Sequence, residues 1–259
     1  MSSVQTVVAN GVLEVILERP PANAIDMATS RLLGDTFAAF RDDDSLRVAL
    51  FSTAGERFFS GGWDLKAAAG GESVDCDYGV GGFGGLQELP GLNKPVIAAV
   101  SGMAVGGGFE IALSCDMIIA ATSARFCLPE INAGTLADAA TIKLPRRIPF
   151  HVAMDLLFTG RWMESDEALA RGLVCEVTEE ENLLTRARAI AAQLAAGPPL
   201  VFAAIKETLR ETGHLPFQQA MDLVTKRHLP TVDALYSSED HKEGQIAFTE
   251  KRPPQWRGK

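Results

Sequence analysis

PVIAAVSGMAVGGGFEIALSCDMIIAATSARFCLPE, residues Pro95 to Glu130, carries two glutamates inside an otherwise apolar run. Glu110 follows the triple glycine Gly106, Gly107 and Gly108, and Glu130 closes a second short apolar run behind Pro129. Pro95 to Val100 and Met117 to Ala121 read as buried strands. Between them the sequence predicts a turn at Gly102 and a helix over about Gly107 to Cys115. Strand, glycine turn, helix and strand in that order imply a crossover connection, and hence an α/β sheet. Carboxylates are seldom buried unless paired or chemically employed. Two in one core segment point to an acid/base pair in a dry cleft.

Taken singly, each feature has a plainer role. A glutamate in the first turn of a helix is favoured by the helix dipole, and Glu130 at the start of a loop can meet an arginine. A glycine run suits a tight helix–sheet contact. Together they describe a catalytic constellation, because free amides at a helix start also suit a developing oxyanion. A second stretch, FFSGGWDLKAAA from Phe58 to Ala69, repeats the theme. Gly61 and Gly62 precede Trp63 and a short charged helix start, with Lys66 placed to meet a phosphate. The plainer alternative is a loop entering a helix with Trp63 as packing.

Working outward, Thr6–Val8 and Val12–Leu17 read as strands joined by an Asn10-Gly11 hairpin turn. Thr29 or Ser30 is the expected cap of a helix to about Phe40, with Leu33, Phe37 and Phe40 on one face. Val48 to Phe51 reads as a short buried strand. Beyond Glu130 the spacing is mainly helical, over 150–158, 165–171, 180–195, 199–211, 215–228 and 239–250. Pro198-Pro199 divides a core, 1–197, from a helical C-terminal part, 198–259. Gly70 to Gly85 reads as a mobile loop. Its G-x-G-x-x-G match at Gly79, Gly81 and Gly84 lacks a preceding buried strand and is flanked by Asp75 and Asp77, so it is not a nucleotide fingerprint.

The chain of 259 residues has a formal charge of -9 and a sequence pI near 5.0. That excludes general affinity for nucleic acid or anionic membranes but not a local phosphate site. Cys76, Cys115, Cys127 and Cys175 form no C-x-x-C pair, and the four histidines are scattered. No metal site is expected. The N-terminus has no basic, apolar leader, and no run reaches membrane-spanning length, so a cytoplasmic location is the default expectation.

With these residues in view, the chain resembles the crotonase (enoyl-CoA hydratase/isomerase) superfamily. RPPANAID at 19–26, FFSGGWDLK at 58–66, KPVIAAVSGMAVGGGFEIALSCD at 94–116, FCLPEINAGTL at 126–136 and FTEKRPPQW at 248–256 carry the resemblance. Within the superfamily it is most similar to the carnitinyl-CoA dehydratase branch. The resemblance implies a spiral of ββα units with a C-terminal α-helical trimerisation region, assembled as a homotrimer or as a hexamer of two trimers. It implies an acyl-CoA thioester as substrate, with no other cofactor, and addition or removal of water across C2–C3. The two catalytic glutamates of the family fall on Glu110 and Glu130, and the oxyanion-hole amides on Trp63 and Gly107. CoA contacts fall on Ala22, Trp63, Asp64, Leu65, Lys66 and Gly107. Glu130 takes the role of proton donor to C2, and Glu110 that of water-activating partner. The hydratase pattern P-G-A-G-G is replaced by Ala137-Asp138-Ala139-Ala140-Thr141, whose methyl groups are expected to narrow the acyl pocket. Double-bond isomerisation and non-catalytic acyl-CoA binding are the competing readings.

Overall fold

In the computed structural model, which describes residues 2–259, Asn10 and Gly11 both take left-handed φ values of 52° and 76°. This two-residue turn matches the twist of a hairpin. It joins β1 (Val4–Ala9) to β2 (Val12–Leu17) as antiparallel neighbours. Helix α1 (Met27–Asp42) follows. Its cap is Asp26, whose carboxylate accepts from the Thr29 amide at 2.8 Å. The expected cap at Thr29 or Ser30 is therefore corrected: both lie buried in the first turn. A carboxylate three residues earlier is a stronger acceptor against the positive end of the helix. Leu33, Phe37 and Phe40 are buried on one face, as their spacing requires.

From β3 (Val48–Thr53) a unit of two strands and a helix repeats. Each unit lays one strand in a large sheet, turns, lays a three-residue strand in a smaller sheet and returns through a helix. The first is β3, β4 (Phe58–Ser60) and α2 (Leu65–Ala69). The second is β5 (Val96–Val100), β6 (Met103–Val105) and α3 (Gly107–Ser114). The third is β7 (Met117–Ala121), β8 (Arg125–Cys127) and α4 (Glu130–Ala133). Helices α5 (Asp138–Lys143) and α6 (Phe150–Thr159), strand β9 (Met163–Glu164), helix α7 (Ser165–Ala170), strand β10 (Glu176–Thr178) and helix α8 (Leu183–Ala195) complete the core. The large sheet has the order β1-β2-β3-β5-β7-β10 and the small one β4-β6-β8-β9. This is the expected ββα spiral.

The main core lies between the sheets and includes Phe37, Phe51, Phe59, Phe109 and Phe126. Phe59 meets Phe51 edge-on at 5.6 Å between centroids. Leu50, Ile97 and Ile119 face the other way and are covered by Ala187, Ile190 and Ala191 of α8. Burial on both faces explains the continuous apolar runs of β3, β5 and β7.

The glycine-rich stretch differs from expectation in its second half. Gly81, Gly84 and Gly85 are buried, and the Gly84 amide donates to Ser30 Oγ at 3.1 Å. A Cβ on Gly85 would strike the backbone of Leu33 and Gly34, so these glycines let 81–85 lie flat on α1.

Beyond Pro198 the chain bends by 100°. Helices α9 (Pro199–Thr212), α10 (Phe217–Thr225), α11 (Pro230–Ser237) and α12 (Glu239–Glu250) follow. They share only a small core of Ala204, Leu229 and Val232, and leave Phe217 and Phe248 more than three-quarters exposed. No single described helix is long and apolar enough to cross a membrane.

Candidate active site

The RPPANAID turn and the FFSGGWDLK loop are built onto each other. Arg19 ion-pairs with Asp26 and Asp64, each at 2.7 Å, and buried Asn23 donates to the carbonyls of Ala54 and Phe58. Ile25 donates to the Gly62 carbonyl at 2.8 Å and accepts from the Asp64 amide at 2.9 Å. Ile25 thus uses the residues on either side of Trp63, and the Trp63 amide points the opposite way. Gly62 has φ of 77°. A Cβ there would lie 2.6 Å from the Val105 carbonyl and 2.9 Å from the Gly107 amide nitrogen. Only glycine lets the two loops close, and closure brings the Trp63 peptide beside the start of α3. Gly107 occupies the first turn of that helix, where amides have no intrahelical acceptor. Neither amide has an acceptor among the described residues.

Glu110 sits in the same first turn, and its side chain is buried. Oε1 accepts from the Ala140 amide at 2.9 Å, and Oε2 from Gln87 Nε2 at 3.2 Å. Burial nevertheless pushes its pKa up, the two donors opposing that rise. Glu130 begins α4 and lies against Gly106, where a Cβ would collide with Oε1. Its Oε2 is buried without a hydrogen-bond partner among the described residues. Burial foremost, then the charges of Glu110 and Asp138, push Glu130 up to about 7. The structure therefore couples the two sequence-nominated carboxylates and gives them unlike surroundings: one has two donors, the other an orphaned oxygen.

The remaining nominated residues lie on the neighbouring loops. Ala22 packs on Gly61, while Leu65 and Lys66 are exposed. The Asp64 carboxylate caps α2 through the Lys66 amide and binds Arg19, so it organises the loop. Phe83 lies directly over Gly107 and stacks edge-on with Tyr78 at 5.4 Å. Trp63 Nε1 donates to Glu72 at 3.3 Å, and Glu72 also accepts the Met27 amide. The Ala140 methyl is buried in the core and Thr141 is exposed. The Ala140 amide reaches the site by donating to Glu110 Oε1. Gln87, Glu72 and the Ala140 amide were not nominated from sequence, since a mid-loop polar residue or a main-chain donor leaves no spacing signature. Among the described residues no group of three His, Cys, Asp or Glu is arranged to hold a metal.

A family model described as enoyl-CoA hydratase/isomerase matches residues 8–259. The chain belongs to the enoyl-CoA hydratase/isomerase family. It is 49% identical to the carnitinyl-CoA dehydratase of Proteus mirabilis over 249 residues, covering 96% of this chain and 95% of that protein. The corresponding protein of Salmonella arizonae is 48% identical over the full length of both. An enoyl-CoA hydratase structure from Mycobacterium marinum superposes with a TM-score of 0.90 at 36% identity, covering 99% of each chain. One from Bacillus anthracis gives 0.90 at 30% identity and 100% coverage of each. As a member of this family the chain is a hydro-lyase of the acyl-CoA hydratase/dehydratase kind.

The raised Glu130 pKa has a consequence for stability. A carboxyl whose folded value lies above its ordinary 4.5 contributes stability below 4.5 and loses it as pH rises through about 7. Glu130→Gln has no charge to bury, so it should gain roughly 2 kcal/mol over the parent at about pH 8 relative to about pH 4.5, after allowance for the partial exposure of the residue. Urea unfolding at both pH values measures this. Equal differences at the two pH values would mean that Glu130 is not held protonated.

Proposed function

We propose that this chain adds water to, or removes it from, the C2–C3 bond of a short acyl-CoA thioester, with Glu110 and Glu130 in separate acid/base roles. The observation that carries this reading is the unlike setting of the two carboxylates. Glu110, held by two donors, is suited to remain ionised and take a proton from water. Glu130, with an unpartnered oxygen and a value near neutrality, is suited to hold the proton delivered to C2. Thioester conjugation makes C3 electrophilic, and water addition drives negative charge onto the thioester oxygen. The Trp63 and Gly107 amides, free and adjacent, are the donors to that oxyanion. Isomerisation moves one proton between carbons and needs one such carboxylate. Ala22, Leu65 and Lys66, with the backbone of Asp64, hold the CoA portion, and no further cofactor takes part.

The relatives named carnitinyl-CoA dehydratase suggest a trimethylammonium-bearing acyl group. Support comes from Trp63, Tyr78 and Phe83 beside the thioester site, with the Glu72 carboxylate behind Trp63. Burial, then the charge of Glu72, pushes Tyr78 up to about 12, so its ring stays neutral. Quaternary ammonium groups are attracted to such faces by roughly 1 kcal/mol each. Tyr78→Leu is accordingly expected to raise KM for crotonobetainyl-CoA about fivefold and leave crotonyl-CoA unaffected. An equal change for both substrates counts against the aromatic subsite.

The exposed apolar side chains of 198–259 support a trimer or hexamer formed through that part of the chain. Four free thiols suit work in the reducing cytoplasm. Incubation with a panel of short enoyl-CoA thioesters tests the main reading by mass spectrometry. Gain of one water by crotonyl- or crotonobetainyl-CoA supports it, and no gain with any member of the panel contradicts it.

A further inference from the structure

Lys143 ends α5 half-buried, and its two hydrogen bonds go to a hydroxyl and a carbonyl rather than to a carboxylate. Nζ donates to Ser114 Oγ at 2.7 Å and to the Gln87 carbonyl at 3.2 Å. Each contact leads to Glu110. The Ser114 hydroxyl donates to the Glu110 carbonyl at 2.8 Å, and the Gln87 side-chain amide donates to Glu110 Oε2. A half-buried cation is thus tied to the main chain and the carboxylate of one glutamate by two one-residue bridges. No contact of this kind reaches Glu130, whose Oε2 is orphaned.

We propose that Lys143 and Gln87 are positioning residues that keep Glu110 aimed and ionised for water activation, so that the two glutamates hold different protonation states. The inference rests on the water-addition reading of the site. An ammonium left without a carboxylate inside protein is costly unless its charge serves a neighbour. Here the neighbours are known from every packed element. Glu110 on α3, Cys115 at its C-terminal end, Glu88 beside Gln87, and Arg147 just beyond α5 lie around Lys143. Asp138 and Lys143 on α5 face Glu110, and Glu130 faces it from α4. Asp138 and Glu130 disfavour a charged Glu110, and the Lys143 charge favours it. The α5 helix therefore supplies the Ala140 amide and the Lys143 charge together, which explains why it closes on α3.

The test compares Lys143→Met, Lys143→Arg and Gln87→Leu with the parent in crotonyl-CoA hydration across about pH 5.5 to 9, in folded preparations checked by thermal melting. Expected are an acid limb of kcat moved to higher pH in Lys143→Met and Gln87→Leu and a return toward the parent in Lys143→Arg. The loss should be about tenfold greater near pH 6 than near pH 8.5, with KM within about twofold. If Lys143→Met does not fold, Gln87→Leu decides alone. A kcat loss uniform across pH, or a change confined to KM or melting temperature, overturns the inference. Absence of hydration by the parent, or full activity in Glu110→Gln, would instead overturn the functional reading beneath it.

Discussion

Glu110→Gln and Glu130→Gln each lower turnover in enoyl-CoA hydration by at least about 100-fold, with little change in binding of the CoA portion. An amide at 110 cannot accept the water proton, and an amide at 130 has no proton to give to C2. Both variants keep the volume of the parent; at 110 the new amide oxygen can still accept from Ala140, while its NH2 faces Gln87, whose side-chain amide can turn to accept. The double variant should be scarcely worse than either single one, because the two groups serve one transition state. The same division fixes the pH response. Hydration needs the pair singly protonated with the proton on Glu130, so it declines as pH rises through about 7; dehydration uses the same singly protonated pair with the proton on Glu110, and because the reaction exchanges no net proton with solvent its kcat/KM declines over the same range. The apparent values belong to the coupled pair, since each charge disfavours the other. Parental turnover in both single variants would remove the glutamates from the mechanism.

Gly62→Ala is the second large effect. The added methyl would enter the space between the Val105 carbonyl and the Gly107 amide at a backbone φ of 77°. It must push the Trp63 loop away from α3 or strain the turn. Either way the two free amides no longer converge on one oxygen. Loss of an oxyanion donor is worth about 100- to 1000-fold in kcat, and that is the expected fall with both glutamates still present. The melting temperature should also drop by several degrees, since a strained non-glycine residue at positive φ costs about 1 kcal/mol or more. A folded variant within about threefold of the parent in kcat would mean that these amides do not hold the thioester oxygen.

Much of this was legible in the residues alone. The long strands β3, β5 and β7 announce themselves because both faces are buried and their sequences are uniformly apolar. Strands β4, β6 and β8 do not, since three residues carry no readable alternation. The second sheet was therefore invisible locally and came only through the family resemblance. The cap of α1 was misplaced because Asp26, Thr29 and Ser30 are all competent capping residues, and the choice depends on where the chain leaves Arg19. Helix α11 lies in the gap between the helical segments expected at 215–228 and 239–250, with Pro230 at its first position. At the site, Glu110 and Glu130 stood out as acids in an apolar run. Gln87 and Lys143 did not, because a half-buried polar side chain is recognised by what it touches. The asymmetry between the glutamates is likewise a property of partners distant in sequence.

Solvent labelling probes the two-carboxylate mechanism most directly. Crotonyl-CoA incubated with the parent enzyme in deuterated, oxygen-18-enriched water should gain one solvent oxygen at C3 and one deuteron at C2, and both Gln variants should slow the two incorporations together. Deuterium exchange at carbon without oxygen uptake, or labelling that proceeds undiminished without either carboxylate, would contradict it.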